Sequence, residues 1–271
     1  MDDSVILKKS NINGPTLVIF GAIHGDEICG PEAFKRVIPS LQIKRGSVYF
    51  IIGNPEALQQ RKRSIDTNLN RLFNADSELK PEVLNTLEYY RSRELFKYLD
   101  QADAVLDIHS SASQESRPFI ISEAHSFEIA QILPADIVTS GWDELETGTT
   151  DYYMNRRMKN GLVIECGNHH DRKATDIAES AIKSFLGYFD MIDYKPVVSQ
   201  KQFMQVKTIY HTTTNSFRLT KPFADFEPVN RDQIIGFDRN KEVKPEFDGA
   251  IIFARNRDRI GAEAFLLAAR V

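Results

Sequence analysis

Apolar residues along this chain fall into short β-branched runs and longer amphipathic stretches, and the two alternate through residues 1–196. Thr16-Leu17-Val18-Ile19-Phe20, opened by Gly14-Pro15, is a continuous run of the kind that suits a strand buried on both faces. It ends at Gly21, and Pro31 then fits the first turn of a helix that carries Phe34 and Val37. Ser47 to Ile52 predicts a second strand, closed by Gly53-Asn54-Pro55. Asn54 to Phe73 carries mixed signals, and Asn74 to Lys80 is polar and turn-like. Pro81 opens a predicted helix with apolar positions at Leu84, Leu87, Leu95 and Leu99. Ala104-Val105-Leu106 predicts a short buried strand ending in Asp107-Ile108-His109, and Pro118 to Ile121 another. A helix near Phe127 to Ile132 and a loop rich in Gly and Thr, Gly141 to Thr150, follow. Leu162-Val163-Ile164 predicts a strand that ends in Glu165. Ala174, Ile177, Ala178, Ala181, Phe185 and Phe189 then recur at helical spacing.

Strands alternating with helices argue for an α/β fold around a mixed, mostly parallel central sheet with flanking helices. The character changes around Pro196. From Phe203 onward the apolar runs are short: Val206 to Tyr210, Ile234-Ile235, Ala250 to Phe253 and Ala264 to Leu267. Turn residues separate them, and helical periodicity is weak. The expected division is a catalytic domain over residues 1–196 and a small all-β domain over 197–271 that covers or flanks the active site.

Composition narrows the classes. With 42% hydrophobic and 27% charged residues, the chain is an ordinary globular sequence, neither disordered nor fibrous. A net charge of −4 argues against nucleic acid as partner. Two cysteines, Cys29 and Cys166, make no disulfide framework, so a reducing compartment is the default. The first residues, Met1-Asp2-Asp3-Ser4, lack the basic-then-apolar order of a secretory signal, and Thr16 to Ile23 is too short to span a bilayer. The expectation is a soluble cytoplasmic protein without membrane contacts. Oligomeric state is left open, a homo-oligomer included.

Three groups carry candidate chemistry. His24-Gly25-Asp26-Glu27 follows the first strand, where open α/β sheets bind ligands, and an imidazole and a carboxylate three residues apart can converge on one ion. Alone, His-x-x-Glu is a weak signal. Asp107 and His109 sit two apart at the end of a strand and face one side of it. One could ligate a metal while the other orients a neighbour. Glu165 closes a buried strand, where burial raises a carboxyl pKa and suits a proton shuttle. Two histidines and one carboxylate with an open position form the ligand set of a catalytic zinc. The helical His-Glu-x-x-His of common metalloproteases is absent.

Taken together, the motifs resemble the succinylglutamate desuccinylase/aspartoacylase family, itself similar to the zinc carboxypeptidases in its catalytic domain. Four blocks carry the resemblance: Gly21 to Glu27; Asn54-Pro55-Glu56-Ala57 with Arg63 to Phe73; Asp107-Ile108-His109-Ser110; and Val163-Ile164-Glu165-Cys166-Gly167. The resemblance implies one zinc ion held by His24, Glu27 and His109. It implies Glu165 as general acid/base, Arg63 as the group that polarises the scissile carbonyl, and Asn70 and Arg71 as ligands for a substrate carboxylate. Asp66 would brace the arginine-bearing loop. It also departs in two places. Asn256 to Gly261 carries no tyrosine where aspartoacylases contribute one to the pocket, and Asn155, flanked by Arg156 and Arg157, stands where they have an arginine.

The activity these readings imply is hydrolysis of the acyl-amide bond of an N-acyl amino acid or a related small carboxylate-bearing amide. A zinc carboxypeptidase acting on peptides is the alternative, and a non-catalytic binding protein of the same fold a third reading. Around the motifs, His169 and His170 read as loop residues or pocket lining. Gly148 to Asp151 reads as a helix-start turn or pocket wall, Cys166 as a packed small residue, and Arg61 and Lys62 as solvated charge.

Overall fold

The structure is a computed structural model that describes residues 4–113 and 115–271. Its strands, in chain order, are β1 (Val5–Lys9), β2 (Thr16–Gly21), β3 (Ser47–Ile52), β4 (Ala104–Ser111), β5 (Phe119–Ser122), β6 (Ile137–Ser140) and β7 (Asn160–Asn168). Then follow β8 (Gln202–His211), β9 (Phe217–Leu219), β10 (Glu227–Val229), β11 (Gly236–Asp238), β12 (Lys241–Val243), β13 (Gly249–Ile252) and β14 (Glu263–Arg270). The α-helices are α1 (Cys29–Val37), α2 (Pro55–Gln60), α3 (Leu87–Gln101), α4 (Phe127–Ala130), α5 (Thr150–Asn155) and α6 (Arg172–Tyr188).

The fold is α/β. An 11-stranded mixed sheet runs in the order β1-β3-β2-β4-β7-β5-β6-β8-β14-β13-β10, and β12-β11-β9 form a small antiparallel sheet near the C-terminus. The run β3-β2-β4-β7 is parallel, as are β5-β6 and β6-β8. β2 lies inside this parallel run and is apolar on both faces. Leu17 and Ile19 pack against Phe34 and Val37 of α1 and Ala178, Ile182 and Phe185 of α6. Val18 and Phe20 pack on the other face with Leu95 and Leu99 of α3 and Met154 of α5. Helices thus cover both faces of the parallel half, which is why its strands read as unbroken apolar runs.

Several boundaries differ from the sequence expectation. β4 continues through His109 to Ser111, and β7 continues through Glu165 to Asn168. Polar residues end an apolar run, but they do not end a strand whose neighbours on both sides keep pairing. Glu165 is opposite His109 of β4 on one side and Phe119 of β5 on the other. The helix expected from Pro81 begins later. Pro81–Val83 is a single 3-10 turn, and α3 starts at Leu87 behind Thr86, whose hydroxyl accepts from the Tyr89 N–H at 3.2 Å. Over residues 202–270, β8 and β14 contain the predicted runs 206–210 and 264–267, β13 holds the run 250–253 except Phe253, and Ile234-Ile235 precedes β11 rather than forming a strand. Of these, β8 pairs in parallel with β6, so the C-terminal strands extend the central sheet.

Candidate active site

The C-terminal ends of the parallel strands β2, β4 and β7 deliver the three groups singled out above, at the edge where such sheets bind ligands. After β2 the chain turns through Ala22, whose φ of 53° lies in the left-handed region. His24 and Glu27 then sit in the loop before α1. Gly25 in that loop lies against α2: a Cβ there would come within 2.1 Å of the Ala57 backbone carbonyl carbon. Its N–H donates to the Arg63 carbonyl at 3.2 Å. Glycine therefore lets the His24 loop dock directly on the segment that carries Arg63.

His24, Glu27 and His109 converge. His24 Nδ1 lies 2.7 Å from Glu27 Oε1, and His109 Nδ1 lies 2.8 Å from Glu27 Oε2. One candidate ligand atom from each of the three lies within 4.8 Å of the others, and all three side chains are buried. The outer faces of the imidazoles are also held. His24 Nε2 is 3.0 Å from Asn68 Oδ1, and His109 Nε2 is 3.0 Å from Asp107 Oδ2, out of line for a straight hydrogen bond. Asp107 in turn accepts from the Thr150 hydroxyl at 2.6 Å. A carboxylate or amide on the far nitrogen of each ring is the arrangement that orients histidine ligands. Burial holds the His24 pKa below its ordinary value. For His109, burial pulls the same way, but Asp107 and Glu27 raise it well above. The two imidazoles hold Glu27 well below the usual carboxylate range, against the effect of its burial.

Glu165 is beside His109 across the β4–β7 ladder, so the two side chains share one face of the sheet. Burial, and then the charge of Glu27, push its pKa up to about 8. Its Oε2 is buried with no hydrogen-bond partner among the described residues. Arg63 is half-exposed and donates through Nη1 to Glu27 Oε1 at 3.2 Å.

The loop carrying Arg63 to Arg71 has no regular pattern of its own, and a residue that sequence reasoning missed holds it. Glu88, on the first turn of α3, is fully buried. Its carboxylate accepts from the backbone N–H groups of Ile65, Asp66 and Thr67 at 2.7, 3.1 and 3.2 Å, and from Asn54 Nδ2 at 3.1 Å. Asp66 accepts from the Leu87 N–H at 2.8 Å and ties the loop to the start of α3, the bracing role expected of it. Asn70 accepts from the Thr150 N–H at 3.1 Å. Arg71 pairs with Glu146, lies 3.8 Å from Glu263, and donates to the Asn70 carbonyl at 2.7 Å. Gly148 is required here: its φ is +79°, and a Cβ would meet the Arg71 carbonyl oxygen at 2.5 Å.

His24, Glu27, Arg63, Asn70, Arg71, His109 and Glu165 line one cavity of about 370 Å³, together with Asp151, Trp142 and His169. His169 contacts Ser110 Oγ at 2.8 Å through Nδ1. His170 is not part of the lining. Thr149 caps α5, as expected of a helix-start turn. Asn155 accepts from the Gly161 N–H, while Arg156 pairs with Glu78 and Arg157 stacks 3.5 Å over the Tyr153 ring, so none of the three faces the cavity. Three arginines outside the motifs also face it: Arg255, Arg257 and Arg259, on the segment between β13 and β14. Their signal was present as an arginine at every second position, one face of an extended chain.

A family model, the succinylglutamate desuccinylase/aspartoacylase catalytic domain, matches residues 13–187. The chain belongs to this family. It is 24% identical to a succinylglutamate desuccinylase of Idiomarina loihiensis over 94% of this chain and 82% of that one. It is 28% identical to a probable aspartoacylase of Prochlorococcus marinus over 58% of this chain and 54% of that one. Among solved structures, a succinylglutamate desuccinylase from Vibrio cholerae superposes with a TM-score of 0.81 at 19% identity, covering 99% of this chain and 86% of that chain. A succinylglutamate desuccinylase/aspartoacylase from Rhodobacter sphaeroides superposes at 0.77 and 21%, covering 98% and 89%. The family is one of deacylases, and the shared fold extends through the C-terminal strands as well as the matched catalytic region.

Proposed function

We propose that the protein is a zinc-dependent amidohydrolase that cleaves the acyl-amide bond of an N-acyl amino acid or a related small amide with a free carboxylate. The observation that carries this reading is the convergence of His24, Glu27 and His109 beside Glu165 in one cavity. Two imidazoles and one carboxylate, buried and with ligand atoms within 4.8 Å, fit a single zinc ion with a coordination position to spare. Zinc in this set supplies Lewis-acid activation of water and of the acyl carbonyl.

The protein's own groups divide the remaining work. Glu165 takes the proton from the attacking water and passes it to the departing amine. Arg63, at the cavity wall, offers guanidinium donors to the acyl oxygen as negative charge develops there. Asn70 and Arg71 bind the substrate's carboxylate, with Arg71 held in place by Glu146 and Glu263. Residues 1–196 serve as the catalytic domain, and 197–271 as a β unit whose segment from Phe253 to Leu266 closes one side of the cavity. A cavity of about 370 Å³ suits a small amide better than an extended peptide. Among the described residues no helix is long and apolar enough to cross a membrane.

The test is a screen of N-acyl amino acids and of peptides of increasing length, with metal content measured on the same sample. Hydrolysis of the small amides, lost with a chelator and restored by zinc, is the expected result. Hydrolysis that favours long peptides would move the reading to a carboxypeptidase. Zinc-loaded protein that cleaves no amide would remove it.

A further inference from the structure

Two carboxyl groups meet at Arg71, and they arrive from distant parts of the chain. Glu146 belongs to the connection between β6 and α5, and Glu263 opens β14. Both line the cavity together with Arg71. Arg71 Nη2 pairs with Glu146 Oε1 and lies 3.8 Å from Glu263 Oε1, while Nη1 donates to the Asn70 carbonyl at 2.7 Å. The backbones that carry these groups are fixed. The Glu146 N–H donates to the Trp142 carbonyl at 2.7 Å. The Phe73 N–H donates to the Gly148 carbonyl at 3.0 Å, which docks the turn bearing Glu146 on the segment bearing Arg71. Glu263 is in register with His211 of β8, and its carbonyl accepts from Arg257 Nε.

The Glu146 and Glu263 side chains are also hydrogen-bonded to each other. Ionised carboxylates only accept, so this bond requires a proton on one of the two. Glu146 is the better holder. Its burial raises its pKa to about 7, against the pull of Arg71 and with the push of Glu263. Glu263 moves the other way: the Glu146 hydrogen bond and the charges of Arg71, His211 and Arg257 outweigh its burial. The charged groups facing the pair are thus Arg71 from its loop, Arg255 and Arg257 from the segment before β14, and His211 from β8.

The state of that proton decides what Arg71 can still bind. With both carboxyls ionised, two negative charges stand at one guanidinium, and an arriving carboxylate meets net repulsion. With one proton held, the pair balances Arg71, whose guanidinium keeps donors beyond those spent on Asn70 and Glu146. We propose that Glu146 and Glu263 share one proton and retain it when a carboxylate binds Arg71, so that carboxylate binding is coupled to proton uptake by this pair. Glu146 and Glu263 are then positioning residues that set the pH range over which Arg71 accepts a substrate. This deepens the deacylase reading and rests on its assignment of Arg71 to a substrate carboxylate.

The probe is N-acetylglycine, which offers one carboxylate. Calorimetry on the zinc-loaded Glu165→Gln enzyme measures its affinity without turnover, in buffers of different ionisation enthalpy so that protons taken up are counted. Below the pH at which the free pair titrates, the proton is already present. Above it, each binding event must bring one in. Affinity is therefore expected to fall about fivefold from pH 6.5 to pH 8.0, with uptake of about half a proton or more at pH 7.5. Adding Glu146→Gln supplies a neutral side chain of the same shape. It should hold the affinity constant over that range and abolish the uptake, whereas Glu146→Asp, which can still share a proton, should keep part of both. In steady state, Glu146→Gln alone should flatten the pH dependence of KM. Affinity independent of pH, no proton taken up, or uptake that survives Glu146→Gln overturns the proposal, as does a probe that binds at neither pH. Should Glu146→Gln not fold, Glu263→Gln gives the same comparison, and a zero proton count in the parent enzyme overturns the proposal without either variant. Linked uptake in a protein whose wild type cleaves no amide would remove the deacylase reading and leave the proton linkage standing. Cleavage with pH-independent affinity would do the reverse.

Discussion

At the scale of single residues, the site is built from pairs in which one side chain does chemistry and another aims it. His109 faces Glu27 with one nitrogen and Asp107 with the other, and His24 is placed likewise between Glu27 and Asn68. Histidine ligands aimed in this way lose about 10- to 100-fold in metal affinity when the outer partner is removed. Asp107→Asn is therefore expected to weaken zinc binding by that order, read by competition with a chelator. Glu165 presents the other case. It has no hydrogen-bond partner on Oε2 and lies outside the His24–Glu27–His109 group. Glu165→Gln should bind zinc normally while kcat falls by about 10² to 10⁴, the usual worth of a general acid/base. Metal content and steady-state kinetics on one preparation check both halves, and unchanged kcat would take Glu165 out of the mechanism.

At the scale of elements, the loop from Arg63 to Arg71 is positioned by α3 rather than by its own conformation. Glu88 collects three backbone N–H groups of that loop and the Asn54 amide in one buried carboxylate. Glu88→Ala leaves these donors buried without a partner, and each such group costs about 1–3 kcal/mol. A loss of about 2–5 kcal/mol in denaturant unfolding is expected, since some donors regain water. KM should rise as Asn70 and Arg71 lose their fixed positions. The connection between β6 and α5 has a different property. Asp143 is partly buried beside Asp151 and Glu123, and burial first, then those charges, raise its pKa to about 7. Its folded pKa lies above the unfolded value, so the folded state is favoured at pH below about 4. That advantage is lost as pH rises through the folded pKa near 7. Asp143→Asn removes the effect. Its Tm should match the wild type near pH 4 and exceed it at pH 8, measured by thermal melts in matched buffers.

At the scale of the whole molecule, the parts before and after residue 196 share a core. Phe119, Trp142 and Val163 pack with Met204, Val206, Phe226, Ile252 and Leu266 in one buried cluster. β8 completes the edge of β6, and the segment after β13 supplies one wall of the cavity. A chain truncated after residue 196 would expose that apolar cluster and an unpaired β6 edge, two features that promote aggregation. Such a fragment is expected to aggregate or to melt well below the full chain. A monomeric fragment by gel filtration with wild-type Tm would show that the parts are independent.

Most of the fold and of the candidate site was legible in the chain itself. β-branched runs between amphipathic stretches announced a sheet covered by helices, because a strand buried on both faces has no polar position to spare. The residues that follow those runs, His24, Glu27, His109 and Glu165, were visible because polar groups beyond the apolar runs of a parallel sheet are carried to a common edge. Three things depended on tertiary structure. Strand ends were set by neighbours, so β4 and β7 extend beyond their apolar runs. Glu88 reads locally as an ordinary acidic residue in the first turn of a helix, and only the path of the chain brings Ile65, Asp66 and Thr67 to its carboxylate. The arginines of the far wall look like surface charge until the pairing of β8 with β6 continues the sheet and brings their segment over the cavity. Periodicity along a chain encodes which face of an element is buried. Contacts between residues far apart in sequence decide what each face is buried against.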